Sequence, residues 1–344
     1  MRSTRPKPVH LLCGRPMVVY VLDALLDIAP RRAVVVVGRG AEVVTKKVAA
    51  AAPDLPLTFV EQRVARGTGD AVAVGLTAFE DDFSVDDSAD DVIVVPGDMP
   101  LLRGATITGL LEYHRANNNA ATLLAAPSSD TTVGRHLIRG RDDKLVAVYD
   151  DAISPEVATG VGIYRRSLLS PAIRRTTPSG ADGLFDLDAV IEVLAETGHP
   201  VGSVMIDDPS EVVAVDDRGH LAEAEALLRR RTNEHWLARG VTMIDPARTY
   251  IDTTVELGAD VTLFPGTMLQ GNTVVGSGAE LGPDTRLVDC AVGDDAVVES
   301  TTGRDAEIGP GAHVGPYAML HPGAQVPADL RTGPFFTAES SEHS

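Results

Sequence analysis

Positive charge is in short supply in this 344-residue sequence: 30 lysines and arginines stand against 49 aspartates and glutamates, a formal net charge of −19. So acidic a surface repels phosphodiester backbones and anionic headgroups, which excludes nucleic-acid or membrane-surface binding as the main task. Cysteine is scarce as well. Cys13 and Cys290 are the only two, expected in different domains, so neither a disulfide framework nor a cysteine metal site can be built, and both read as small buried hydrophobes. Long apolar runs are missing: aliphatic stretches such as 33–37 fall far short of the roughly 18 residues a membrane span needs, and residues 1–10 lack the apolar core of a signal peptide. A cytoplasmic protein is expected. What is present, 44% hydrophobic and 23% charged residues, describes a folded chain long enough for about two domains.

The two halves differ in period. Up to about residue 240, β-rich runs at 33–38, 57–61, 92–96, 120–126, 145–149, 157–164 and 201–206 alternate with helix-length segments at 17–28, 41–52, 69–79, 105–115 and 185–197. That alternation indicates an α/β layer fold. The acidic stretch 80–91 reads as a solvated loop. A strand-like 212–215 leads into a helix over 218–239, rich in Ala, Leu, Glu and Arg, that connects the two halves.

Beyond it the period becomes six. Ile251, Leu257, Leu263, Leu269, Val275, Leu281 and Leu287 recur at that step, and a mostly small set follows four residues behind: Val255, Val261, Thr267, Thr273, Ala279, Thr285 and Ala291. The register slips by five at Val292, is irregular through 301–305, and returns at Ile308, Val314, Leu320 and Val326. This is a hexapeptide repeat, each unit giving one short strand to a parallel β-helix. Helices of this class are usually left-handed and trimeric. The expected layout is an α/β domain at 1–217, a connecting helix at 218–240, the β-helix at 241–327 and a polar tail at 328–344.

Three segments of the first half carry candidate chemistry. Arg2, Arg5, Lys7 and Arg15 form a basic opening in an acidic protein, suited to neutralising phosphate charge, or simply a solvated terminus. Gln62 precedes the glycine turn Gly67-Thr68-Gly69, which opens a helix and exposes backbone N–H groups, as a plain turn also does. Gly97-Asp98 ends an apolar strand where open α/β sheets bind ligands. Asp98, with Asp216 after the 212–215 run, could hold Mg²⁺, which takes one or two protein carboxylates and fills its shell with water and phosphates. Either aspartate could instead cap a helix.

In order, Pro6-Lys7 with His10, Gly14-Arg15-Pro16-Met17, Glu61-Gln62 with Gly67-Thr68-Gly69, Gly97-Asp98 with Pro100-Leu101, Thr159-Gly160, Val215-Asp216-Asp217-Arg218, and Gly240-Val241 with Asp245-Pro246-Ala247 resemble the bacterial bifunctional N-acetylglucosamine-1-phosphate uridylyltransferase / glucosamine-1-phosphate acetyltransferase family. The likeness covers nearly all of 1–325. It implies a Rossmann-like α/β nucleotidyltransferase domain followed by a left-handed parallel β-helix of hexapeptide repeats. It also implies a Mg²⁺-dependent reaction of UTP with a sugar 1-phosphate, N-acetylglucosamine 1-phosphate in that family, in cell-wall precursor synthesis. By position, Lys7 would contact phosphates, Gln62 would read the uracil edge, and Gly67 and Thr68 would pack by the nucleoside. Gly97 would lie in the substrate site, Gly134 would line the sugar pocket, and Asp98 and Asp216 would bind Mg²⁺, Asp216 standing where the family has the asparagine that completes the metal site. A homotrimer through the β-helix follows from the same likeness.

The sequence departs from the family at four places. Met1 falls on the last residue of the family's glycine-rich loop, so the first strand and that loop are absent, and poor stability and weak activity are expected of the chain as written. Tyr149-Asp150 and Ala158 replace a sugar-binding glutamate and asparagine. Pro96 stands where a tyrosine often precedes Gly-Asp. His321-Pro322-Gly323 replaces Arg-Pro-Gly, and the chain ends before the acetyltransferase coils, so acetyl transfer is expected to be lost, with His313 and His321 as surface or packing residues. Two other readings follow: a catalytically degenerate paralogue serving as an oligomeric scaffold or regulator, and an acyltransferase acting through the second half.

Overall fold

The computed structural model describes residues 1, 3–38, 40–52, 55–79, 90–128, 134–141, 143–150, 152–178 and 183–339. Arg2, most of the acidic 80–91 stretch and the end of the polar tail lie outside the described residues. The chain forms two compact units, Met1–His10 with Pro16–His220, and Leu11–Arg15 with Leu221–Ser344. Cys13 and Arg15 therefore belong to the second unit. Cys13, expected apart from Cys290, shares a unit with it.

After a short ribbon, β1 (Leu11–Leu12) and β2 (Arg15–Pro16), helix α1 (Met17–Leu26) buries Met17, Val19 and Leu22. The β-branched run Ala-Val-Val-Val-Val makes β3 (Ala33–Val37), paired in parallel with β4 (Leu57–Glu61), and α2 (Ala41–Ala51) packs Val44 and Val48 into the same core. Helix α3 (Thr68–Leu76) precedes β5 (Asp91–Val94), and α4 (Gly104–Ala116) buries Ile107, Leu110 and His114, one stripe at helical spacing. Then come β6 (Ala121–Pro127), β7 (His136–Arg139), β8 (Leu145–Tyr149), β9 (Glu156–Arg165), α5 (Arg166–Ile173), α6 (Ala189–Glu196) and β10 (Val201–Met205). These strands form a sheet in the order β10-β6-β9-β7-β8, with β5 also antiparallel to β9. β6 is buried along its first six residues, as a central strand covered on both faces should be.

Among the described residues β3 pairs only with β4, and β5 only with β9, so each keeps an open edge. Val35 and Val36 of β3, and all of β5, are only half-buried. A cavity of about 550 Å³ runs beside β3, lined by Val35, Val36, Val37, Lys7 and Gly97.

Two expected elements differ. Residues 212–215 are not a strand: Pro209 opens a 3-10 turn, Pro209–Val212, whose first N–H, that of Ser210, donates to the Asp208 carboxylate at 3.0 Å. The helix expected from 185 starts only at Ala189, because Phe185 is drawn into backbone hydrogen bonds with Arg66 and Gly69. Strand β7 and helix α5 were not foreseen. β7 is too short for alternation to show, and α5 carries Pro171 inside it.

Helix α7 (Arg218–Leu237) leads to a parallel β-solenoid of three sheets with five, six and five strands. The step of six works because every inward position stacks on its equivalent one coil later. Leu263 lies on Leu281, and Leu269 on Leu287, each with no exposed surface. Buried Thr267 donates to the carbonyls of Phe264 at 2.7 Å and Leu281 at 3.0 Å, so its hydroxyl is satisfied inside the core. The other members of the small set point inward, but Ala291, its last, is exposed and Cys290 is buried in its place. Gly303 fills an inward position where a Cβ would meet Leu287 at 3.0 Å, which explains the irregular stretch. The corners are left-handed, held by Asp260, Asp295 and Asp329 alternating with Gly278 and Gly311, all at positive φ.

Both thiols are buried, and burial pushes each above the usual cysteine range, with the Glu225 carboxylate adding to the effect at Cys13. A disulfide reagent should label neither in the native protein and both after denaturation; fast native labelling would contradict this burial. Leu281→Ala should cost about 2–5 kcal/mol in urea unfolding, against roughly 0.5 kcal/mol or less for the neighbouring exposed Glu280→Ala.

Candidate functional site

Pro6 starts a 3-10 turn, Lys7–Val9, that aims the Lys7 side chain at two carboxylates. Its Nζ donates to Asp98 Oδ2 at 2.6 Å and to Asp216 Oδ1 at 2.7 Å. Asp98 stands just after β5, and its carbonyl accepts from Val215 N at 2.9 Å, which pins the segment before α7 alongside the strand end. Asp216 is thereby brought opposite Asp98. The helix-capping alternative falls to its neighbour: Asp217 Oδ1 accepts from His220 N at 2.9 Å at the start of α7. Partial burial pulls the Lys7 ammonium down, but the hydrogen bonds and charges of Asp216 and Asp98 outweigh it and hold the group above the usual lysine range. The Lys7 hydrogen bond holds Asp216 below the usual carboxylate range. Buried His10 sits behind this turn, its Nδ1 at 3.4 Å from Arg218.

Gln62 follows β4, and its amide donates to Asp70 at 2.7 Å and to the Gly67 carbonyl at 3.4 Å. Gly67 has φ +104°, and a Cβ there would collide with the Phe185 carbonyl. The turn is clamped on that segment: Gly69 N donates to Phe185 O at 2.8 Å, Phe185 N to Arg66 O at 2.7 Å, and Leu187 N to the Thr68 hydroxyl at 3.0 Å. Gln62, Gly67 and Thr68 thus share one wall. Gly97 lines the cavity beside Lys7, with Val18 the nearest group to a Cβ at 3.8 Å, so the backbone there is approachable.

Gly134 has φ +122° and leads into Arg135, a residue the sequence reading passed over. The Arg135 guanidinium meets Asp186 at 2.7 Å, and its Nε faces Asp188 at 2.9 Å away from the hydrogen-bond axis. Asp150 is at 3.6 Å. Burial pushes the Asp188 carboxyl up and Arg135 pulls it back. The only sequence hint was the alternation Asp186-Leu187-Asp188, hidden in a predicted helix. Tyr149, at one altered sugar position, donates to Glu192 at 2.5 Å. His313 lies in a solenoid strand and His321 is exposed.

The profile of the MobA-like NTP transferase domain matches residues 1–241. The bifunctional protein GlmU of Streptomyces coelicolor is 38% identical over 349 residues, covering 99% of this chain and 71% of its own length. The chain belongs to the GlmU family. GlmU of Exiguobacterium sibiricum is 34% identical, over 99% of this chain and 75% of its own, and that of Mycobacterium bovis 37%, over 99% and 70%. This is a GlmU-family nucleotidyltransferase domain joined to a hexapeptide solenoid.

Members of such a family work with a divalent metal, and the residues present fit one. A cation already stands between Asp98 and Asp216, the Lys7 ammonium, so the pair is spaced to share positive charge. Two carboxylates are also within the one or two that a small divalent cation completed by water and phosphate takes. Among the described residues no cluster of three or more His, Cys, Asp or Glu could hold a metal by itself.

Gly67→Ala should lower stability by about 2 kcal/mol or more, since a Cβ at positive φ strains the backbone and drives Phe185 away. Nucleotide affinity should fall with it. Denaturation and calorimetry check both, and an unchanged melting curve would count against the clamp.

Proposed function

We propose that this chain is a Mg²⁺-dependent sugar-1-phosphate uridylyltransferase that joins UTP and N-acetylglucosamine 1-phosphate into UDP-N-acetylglucosamine and pyrophosphate, in the cytoplasm, for cell-wall precursor synthesis. The observation that carries it is the Lys7 ammonium shared by Asp98 and Asp216 in a chain of the GlmU family. A sugar-phosphate oxygen forms the new bond to the α-phosphorus of UTP, the bond to the bridging oxygen breaks, and its electron pair leaves with pyrophosphate. Little covalent work falls to the protein in such a transfer, so positioning and charge neutralisation supply the rate.

Lys7 neutralises phosphate charge, Gln62 reads the uracil edge with its amide, and Gly67 and Thr68 hold the nucleoside by backbone and hydroxyl. Gly97 admits the phosphates close to the chain, and Gly134 lines the sugar side. Asp98 and Asp216 would hold Mg²⁺, which supplies Lewis-acid charge stabilisation on the phosphates when bound. Asp216 in place of the family's asparagine adds one negative charge to that pair.

A homotrimer through the solenoid belongs to the same reading and is checked by light scattering. No helix among the described residues is long and apolar enough to cross a membrane. The second reading, a non-catalytic scaffold, is favoured by Ala158 and by the open edges of β3 and β5. Tight Mg²⁺-dependent UTP binding in calorimetry would sink it.

With UTP and a panel of sugar 1-phosphates, the protein should release pyrophosphate only with a divalent metal present, and a chelator should stop it. Silence with every sugar overturns the proposal. Asp98→Ala should lower kcat by about a hundredfold to a thousandfold, the usual cost of removing one electrostatic stabiliser; survival of turnover would remove Asp98 from the site.

A further inference from the structure

We propose that Arg135 is a positioning residue of the transferase site, holding the Gly67-Thr68 turn against the Gly134 side through Asp186. This rests on the transferase reading and adds to it a residue that touches neither substrate. Arg135 directly follows Gly134, and its carbonyl accepts from Ala158 N at 2.7 Å, which ties it to the sugar-side strand β9. Its guanidinium reaches the other way. Nη1 lies 2.7 Å from Asp186 Oδ1, and that same oxygen accepts from the Thr68 hydroxyl at 3.4 Å. The Thr68 hydroxyl in turn accepts from Leu187 N. One carboxylate oxygen is therefore shared by the arginine and the threonine of the nucleotide wall.

Residues 185–188 have no helix or sheet ladder to hold them. Leu187 and Asp188 are tied to α6 by their carbonyls, which accept from Val190 N and Ile191 N, and the Asp186 side chain is held between the 66–69 turn on one side and Arg135 on the other. Without the guanidinium, Asp186 and Asp150 are left beside the buried Asp188 carboxylate, and like charges in partial burial repel. The segment would move, and Thr68 with it. Arginine suits the task because one planar group addresses several carboxylates at fixed angles, whereas a lysine addresses them as a point charge.

The test measures UTP affinity by calorimetry and steady-state kinetics on the full chain. In Arg135→Met the Kd for UTP should rise about tenfold, roughly 1.4 kcal/mol, with kcat changed less than threefold. Arg135→Lys should recover part of the loss. Thr68→Val alone should show a similar loss, and the double variant Arg135→Met/Thr68→Val should be no worse than the weaker single, since both break one relay. Independent penalties that multiply in the double variant overturn the proposal, as does a Kd that stays put while only the melting temperature falls. Should Arg135→Met fail to fold, Asp186→Ala removes the shared oxygen without stranding a charge and must reproduce the weaker UTP binding. A wild-type protein that binds UTP but turns over no sugar phosphate removes the transferase reading, and additive penalties in an active enzyme remove only the relay.

Discussion

The first unit is organised around an ammonium from the start of its sequence held between two carboxylates, one from the middle and one from near the end. Lys7, Asp98 and Asp216 meet because the Asp98 carbonyl takes the Val215 amide, which lays the chain entering α7 along the end of β5. As stability this trio counts for little: its side chains are 31%, 27% and 66% exposed, and ion pairs so wet contribute about 1 kcal/mol or less. Its consequence is geometric. It sets two oxygen donors on either side of one positive charge at the mouth of a cavity, and the later parts of the site, the Gly67 turn and the Arg135 cluster, approach from elements already placed.

How much of this could be read beforehand depends on how local each signal was. Strands β4 and β8 were legible to the residue, and β3 to within one, because β-rich runs bounded by turns have few alternatives. Lys7, Asp98 and Asp216 could be named from motifs, yet nothing in the spacing said that the lysine would bridge the two aspartates. Arg135 was illegible: its partners Asp150, Asp186 and Asp188 lie 15 to 53 positions away, and two of them sat in a segment whose apolar spacing read as helix. Tertiary contact overrode that pattern, since Phe185 gives its backbone to the Gly67 turn before α6 can begin.

The solenoid shows the opposite case, where a one-dimensional pattern determines nearly everything. Each inward side chain needs only its counterpart one coil away, so a slip of one residue is absorbed locally. At the Cys290 corner the coil shortens, Cys290 turns in and Ala291 turns out, and the stack resumes at Val292 over Val275. At Gly303 the missing side chain makes room for Leu287 and Leu320 from the coils on either side. Irregularities in the period are therefore packing solutions with identifiable neighbours.

The charge balance ties the site back to the scarcity of basic residues. Lys7 faces two carboxylates, and Arg135 faces three, so both constellations are net negative as they stand. A nucleoside triphosphate brought bare to such a place would meet repulsion from Asp98, Asp216 and the Asp150 group at short range, softened by solvent at these partly exposed side chains but of the wrong sign. On the proposed reading, affinity for phosphate cannot come from local arginines and lysines alone. It requires that positive charge arrive with the substrate, and a divalent cation shared between the phosphates and the Asp98-Asp216 pair is the smallest addition that reverses the sign. The second aspartate sharpens that requirement. It strengthens the hold on an incoming cation and on Lys7 alike, so the same substitution that makes the metal pair more attractive also gives it an internal competitor.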